Sequence, residues 1–229
     1  DTSQNATFAG TINGIPFYTD VANNSMYTHD VSGTDDTAQF NTAYGFAAMD
    51  AIQTGDSNVA IGFQAGSSLT TGGNNVLLGA YAGDALVQSG RNIAIGRNAL
   101  STEDAAGRSV AIGYAALENQ NANEEAYNVA IGYEAGNDII TGTKNTIIGG
   151  LAGDALTTGS YNVVMGYNAL TVEDTGGKSI AIGFSALANQ NYDGSAYNVA
   201  VGHSAGASIT TGTLNTIVGG QAGDALTEG

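Results

Sequence analysis

The 229-residue chain carries 21 acidic against 5 basic side chains, a formal net charge of -16, so it repels phosphate backbones and nucleic-acid binding is excluded. It has no cysteine, hence neither a disulfide framework nor a thiolate metal site. No apolar run approaches the roughly 18 residues of a membrane-spanning helix, so direct membrane insertion is not expected.

In chain order, residues 1–40 stand outside any repeat. Within them Thr11-Ile12-Asn13-Gly14-Ile15-Pro16-Phe17-Tyr18 predicts a short strand or two around an Asn-Gly turn. This segment reads as an N-terminal cap or joining segment, because the end of a stacked fold exposes unpaired backbone groups.

Residues 41–229 form a repeat domain. The stretch Asn128-Val129-Ala130-Ile131-Gly132-Tyr133-Glu134-Ala135-Gly136 recurs eleven times, opening at Asn41, Asn58, Asn75, Asn92, Ser109, Asn128, Asn145, Asn162, Ser179, Asn198 and Asn215. Steps are 17 residues, except two of 19, and four steps make a superperiod of 70. Self-similarity at so short a period predicts an all-β solenoid of about eleven coils, a rod on the order of 50 Å long at about 4.8 Å per coil.

Counting the opening residue as zero, the fourth position is always glycine: Gly45, Gly62, Gly79, Gly96, Gly113, Gly132, Gly149, Gly166, Gly183, Gly202 and Gly219. Such invariance predicts a turn closed to any residue with a Cβ. The seventh is always alanine, which predicts an interior place with room for one methyl group. A β-branched triplet before the glycine predicts a strand of four or five residues. A second apolar position beyond the alanine, such as Leu69 or Leu100, predicts a second strand in each coil.

Both faces of the first strand are apolar. Val129 and Ile131 are assigned to the interior. The alternate set, Ala60, Leu77, Ala94, Ala130, Ile147, Val164, Ala200 and Ile217, then lies outside as an uncharged stripe along the rod. Soluble monomers rarely expose such a stripe, so these residues are candidates for a subunit interface with further copies of the chain.

The motif resembles the head repeats of trimeric autotransporter adhesins and related phage tail-fibre repeats. The resemblance covers residues 41–229, although adhesin heads usually have shorter coils. It implies a left-handed parallel β-roll, a homotrimer about a common axis, and an extracellular place on a cell surface or virion. The implied role is a structural and adhesive rod that attaches to a cell-surface receptor or glycan. The alternative is an extracellular filament subunit that stacks end to end.

Few residues suggest chemistry, and no enzymatic activity is expected. His203 takes the place that Phe63, Tyr114, Tyr133, Tyr167 and Phe184 hold in other coils, so it reads as one more ring of a candidate surface-binding aromatic series that also includes Tyr44 and Tyr81. Asp174-Thr175-Gly176 has no counterpart one superperiod earlier and is a chance triplet. Asp84, Asp154 and Asp224, with the Glu103-Asp104 and Glu173-Asp174 pairs, read as a solvated acidic surface with Ca²⁺ as a second possibility. Paired carboxylates are also the only plausible basis for polysaccharide hydrolysis. Threonine-rich turns such as Thr141-Gly142-Thr143 fall too far apart for a continuous hydroxyl ladder.

Overall fold

A computed structural model describes residues 18–20, 24–28, 37–105 and 107–228. The Asn13-Gly14 turn and His29 lie outside them. The described residues contain no helix and build a β-solenoid of about eleven turns. β1 (Tyr18–Asp20) and β2 (Ser25–Tyr27) pair antiparallel. From β2 the strands are parallel and in chain order: β3 (Thr42–Tyr44), β4 (Val59–Ile61), β5 (Val76–Leu78), β6 (Ile93–Ile95), β7 (Val110–Ile112), β8 (Val129–Ile131), β9 (Thr146–Ile148), β10 (Val163–Met165), β11 (Ile180–Ile182), β12 (Val199–Val201) and β13 (Thr216–Val218). Equivalent residues face one another, as in Ala130 opposite Ile147 and Ile131 opposite Ile148.

Each described coil has one strand of three residues, not two of four or five. The cause is a set of left-handed residues at fixed places. They fall just before the opening residue (Lys144, φ 60), at the fourth position (Gly132, φ 146), at the sixth (Glu134, φ 51) and at the eighth (Leu117, φ 51). A backbone so interrupted turns instead of extending. Left-handed geometry costs an ordinary residue about 1–2 kcal/mol, and cross-coil hydrogen bonding offsets it. The N–H groups of Lys144, Gly132, Glu134 and Leu117 donate to the carbonyls of Ala126, Ile112, Tyr114 and Ala135 at 2.7, 2.8, 2.9 and 3.1 Å.

The strand faces are the reverse of the expectation. Ala60, Leu77, Ala94, Ala130, Ile147, Val164 and Ala200 are fully buried in the chain's own core, and Ile217 is 8% exposed. They cannot form a subunit interface. Val129 and Ile131 point outward instead. The deciding residue is the opening asparagine. Its side chain is buried, and two-residue alternation then carries the second position inward and the first and third outward. The alanines of the seventh position are buried as expected, from Ala48 to Ala205.

Interior volume is traded between positions within a coil. Where the eighth position is Gly83, an added Cβ would lie 2.6 Å from Leu86 Cδ1 and 2.8 Å from Leu77 Cδ2. Where it is Leu100, Leu117, Leu170 or Leu187, the eleventh position becomes Glu103, Gln120, Glu173 or Gln190, and all eight of these side chains are buried. The polar residues are therefore part of the interior.

Candidate interaction surface

The opening asparagines form a buried ladder that holds the coils in register. The Asn145 backbone N–H donates to Asn128 Oδ1 at 2.9 Å, and Asn128 Nδ2 donates to the carbonyl of Gly142 at 2.7 Å. One amide thus ties a coil both to its neighbour and to its own closing turn. Serine replaces asparagine at Ser109 and Ser179, where a glutamine at the eleventh position enters the same space. Gln190 Nε2 donates to Glu173 Oε2 at 2.9 Å and to Ser179 Oγ at 3.0 Å, while Asn198 Nδ2 donates to Gln190 Oε1 at 2.8 Å. Glu173 also accepts from the N–H groups of Gly176 and Tyr192 at 2.8 and 3.2 Å. Glu103 makes the same bond to Gln120, 2.9 Å long.

These carboxylates correct the expectation of a solvated acidic surface, because Glu103 and Glu173 are fully buried. The glutamates of the Glu103-Asp104 and Glu173-Asp174 pairs turn inward while the Asp104 and Asp174 side chains lie at the surface. A pair split in this way cannot flank one glycosidic bond. Asp84 and Asp154 stand four coils apart, about 19 Å at the strand spacing, too far to share a cation. Among the described residues no group of three or more His, Asp or Glu is arranged to hold a metal ion.

Burial pushes the Glu173, Asp84 and Asp154 carboxyls above their ordinary values of 4.5, 3.8 and 3.8, outweighing the hydrogen bonds that pull each down. Between its ordinary and its raised value each group therefore keeps in the native state a proton that the unfolded chain has released. Stability from this source is full below the ordinary values and is lost as pH rises through the raised ones. The rod is expected to melt at a higher temperature near pH 4 than near pH 8, measured by circular dichroism. Equal or lower melting at the acidic end would contradict this account.

The outer face of the sheet is organised in four columns that run along the rod. The first and third positions carry Val, Ile, Leu, Met and Thr, with Tyr44 in the first coil and no charge at any coil. They remain partly exposed, with Ile61 at 39%, Ile131 at 36% and Val218 at 70%. The fifth position is the ring column. Phe46 stacks on Phe63 with centroids 6.0 Å apart, Tyr114 on Tyr133 at 5.3 Å, Tyr167 on Phe184 at 5.9 Å, and Phe184 on His203 at 4.9 Å. Ala80, Arg97 and Gly150 interrupt it.

Of the expected aromatic series, Phe63, Tyr114, Tyr133, Tyr167, Phe184 and His203 share this column and are exposed. Tyr44 sits in β3 and Tyr81 one place further along, where its ring meets Phe63 edge-on at 5.3 Å. Phe46 belongs to the series and was not anticipated. His203 Nδ1 lies 3.1 Å from Ser204 Oγ, so its polar contact is with its own neighbour. The Thr70 and Thr157 hydroxyls donate to the carbonyls of Val87 and Asp174 at 3.1 and 3.0 Å, which removes those donors from any surface array.

The fourth column precedes the opening residue and was not recognised from the sequence. Over seven consecutive coils it reads Arg91, Arg108, Tyr127, Lys144, Tyr161, Lys178, Tyr197. Aligning the coils one residue earlier reveals it. Comparison of the chain with protein-family models, with curated proteins and with solved structures found no match.

Proposed function

We propose that the chain is the structural and adhesive rod of a surface-projecting fibre, in which copies associate sideways through the outer face of the parallel sheet. The observation that carries this reading is the uncharged, partly exposed pair of columns at the first and third positions. The strip is roughly 50 Å by 10 Å, on the order of 500 Å², which is at the upper end of what a soluble monomer leaves open. The resemblance to trimeric adhesin heads supplies three left-handed rolls about a common axis as the arrangement, and an extracellular setting. Stacked rings at a fixed coil spacing would then present repeated weak contacts to a cell-surface receptor or glycan, which add through multivalency.

Light scattering over a range of concentrations tests this. The wild-type rod is expected to keep a constant mass of three chains. Ile95→Lys combined with Ile131→Lys is expected to give monomers with an unchanged circular dichroism spectrum, since both side chains point out of the fold. A monomeric wild type would overturn the proposal. A mass that climbs steadily with concentration would replace it with an end-to-end filament.

A further inference from the structure

We infer that the column before the opening residue is a binding track for a linear anionic polysaccharide, with Lys144 and Lys178 holding acidic sugars and Tyr161 and Tyr197 receiving sugar faces. The track goes beyond the proposed fibre role and does not depend on how the rods associate.

Charge placement is the first ground. The chain has five basic residues in all, and four of them, Arg91, Arg108, Lys144 and Lys178, occupy this one position of the coil. In a molecule of net charge -16 such concentration makes the only cationic line on an otherwise acidic rod. The left-handed turn presents these side chains outward, and Tyr161 and Tyr197 are 53% and 50% exposed.

Internal order is the second. Lys144 Nζ lies 5.2 Å from the Tyr161 ring centroid and 3.3 Å from its hydroxyl; Lys178 Nζ lies 5.1 Å from the Tyr197 centroid and 3.1 Å from its hydroxyl. Each ammonium is thereby held over a ring before any ligand arrives, which lowers the ordering cost of binding. Thr158, Ser160, Thr175 and Ser195 line a shallow groove beside Tyr161 and Lys178; the Ser160 hydroxyl is held between the Thr143 N–H and the Thr158 carbonyl, and the Thr175 hydroxyl donates to Asp193 at 3.2 Å, so the groove offers a sugar ring a shape rather than free hydroxyls.

Spacing selects the ligand. Lys144 and Lys178 stand two coils apart, about 9.6 Å at the strand spacing, and a tyrosine fills the coil between. That step is close to the advance of one disaccharide in an extended chain, so the cations fall in phase with a polymer that is acidic at every second sugar. A nucleic acid, with a charge every 1.7 Å or so of duplex axis, is out of phase with the two cations, and its several-fold higher charge density is repelled by the acidic rod far more strongly than a chain charged once per disaccharide. Upstream the track is closed by the chain itself. Arg108 pairs with Glu125, which also accepts from the Tyr127 hydroxyl at 2.9 Å, and Glu124 lies near Lys144. The open part therefore runs from Lys144 to Tyr197.

The test titrates the intact chain, at low salt, with a hyaluronan octasaccharide and with an uncharged chito-oligosaccharide of equal length. Hyaluronan is expected to bind with an affinity that falls as salt is raised, and the uncharged sugar at least about tenfold more weakly. Lys144→Gln with Lys178→Gln is expected to weaken hyaluronan at least about tenfold with melting unchanged. No binding by the wild type, or equal binding by the double variant, would overturn the inference. So would a double variant whose mass in solution changes without any saccharide bound at wild type, which would assign the column to contacts between rods.

Discussion

Replacement of Gly132 by alanine is expected to cost on the order of 4–5 kcal/mol, near the upper limit for a single substitution, with urea unfolding as the measurement. Two effects combine. Its φ of 146 lies in a region that ordinary residues occupy only under strain. An added Cβ would also lie 2.4 Å from the Gly149 oxygen and 2.5 Å from its carbonyl carbon. That obstacle is backbone of the next coil, which cannot rotate aside as a side chain would. The solenoid is quasi-one-dimensional, so a coil pushed off its neighbour breaks the stack there. Gly219 is the internal control. Its φ is 131, yet a Cβ would meet nothing nearer than Ala222 Cβ at 3.6 Å. Gly219→Ala is therefore expected to cost only the backbone strain, about 1–3 kcal/mol. Equal losses at both sites would mean that strain alone, and not coil-to-coil approach, keeps the fourth position glycine.

Ala130→Asp is expected to unfold the coils around it, whereas Ile131→Lys one residue along lowers the melting temperature far less, by no more than the lost association of copies. Ala130 is fully buried between Ala111 and Ile147 in the stack. A carboxylate there has no basic partner, and leaving a buried charge uncompensated costs about 3–5 kcal/mol. Ile131 is 36% exposed on the outer face of the single chain, where a lysine keeps its charge in water once the copies have come apart. Circular dichroism melts of the two variants decide the matter. The opposite ranking would return the second position to the outside and Val129 and Ile131 to the core.

Much of this molecule was legible in the repeat, and the misreadings have definite causes. The register of all parallel strands from β3 onward follows the openings, because each coil's backbone hydrogen bonds end on its equivalent neighbour. The invariant glycines and alanines announced a turn closed to any Cβ and a one-methyl interior place; that the obstacle is the next coil's backbone came from the structure. The second strand failed because Leu69 and Leu100 looked like strand residues, while the left-handed residues around them leave no mark in composition: Gln64, Leu100 and Leu117 all adopt positive φ. The surface reading of Glu103 and Glu173 failed because their partners, Gln120 and Gln190, lie one coil further on.

By itself the sequence determined the coil length, the order of the strands, the turn glycines and the acidic character of the rod, since period and composition depend on covalent order alone. Which face of the strand is inside was decided only by the tertiary structure. Val, Ile and Ala satisfy either side of a short strand equally well. The choice rests on burying the opening asparagine amide where it can reach the next coil's backbone and its own coil's closing turn at once. The same is true of the cation and tyrosine column, whose members lie 17 or 19 residues apart in the chain and become neighbours only when the coils stack.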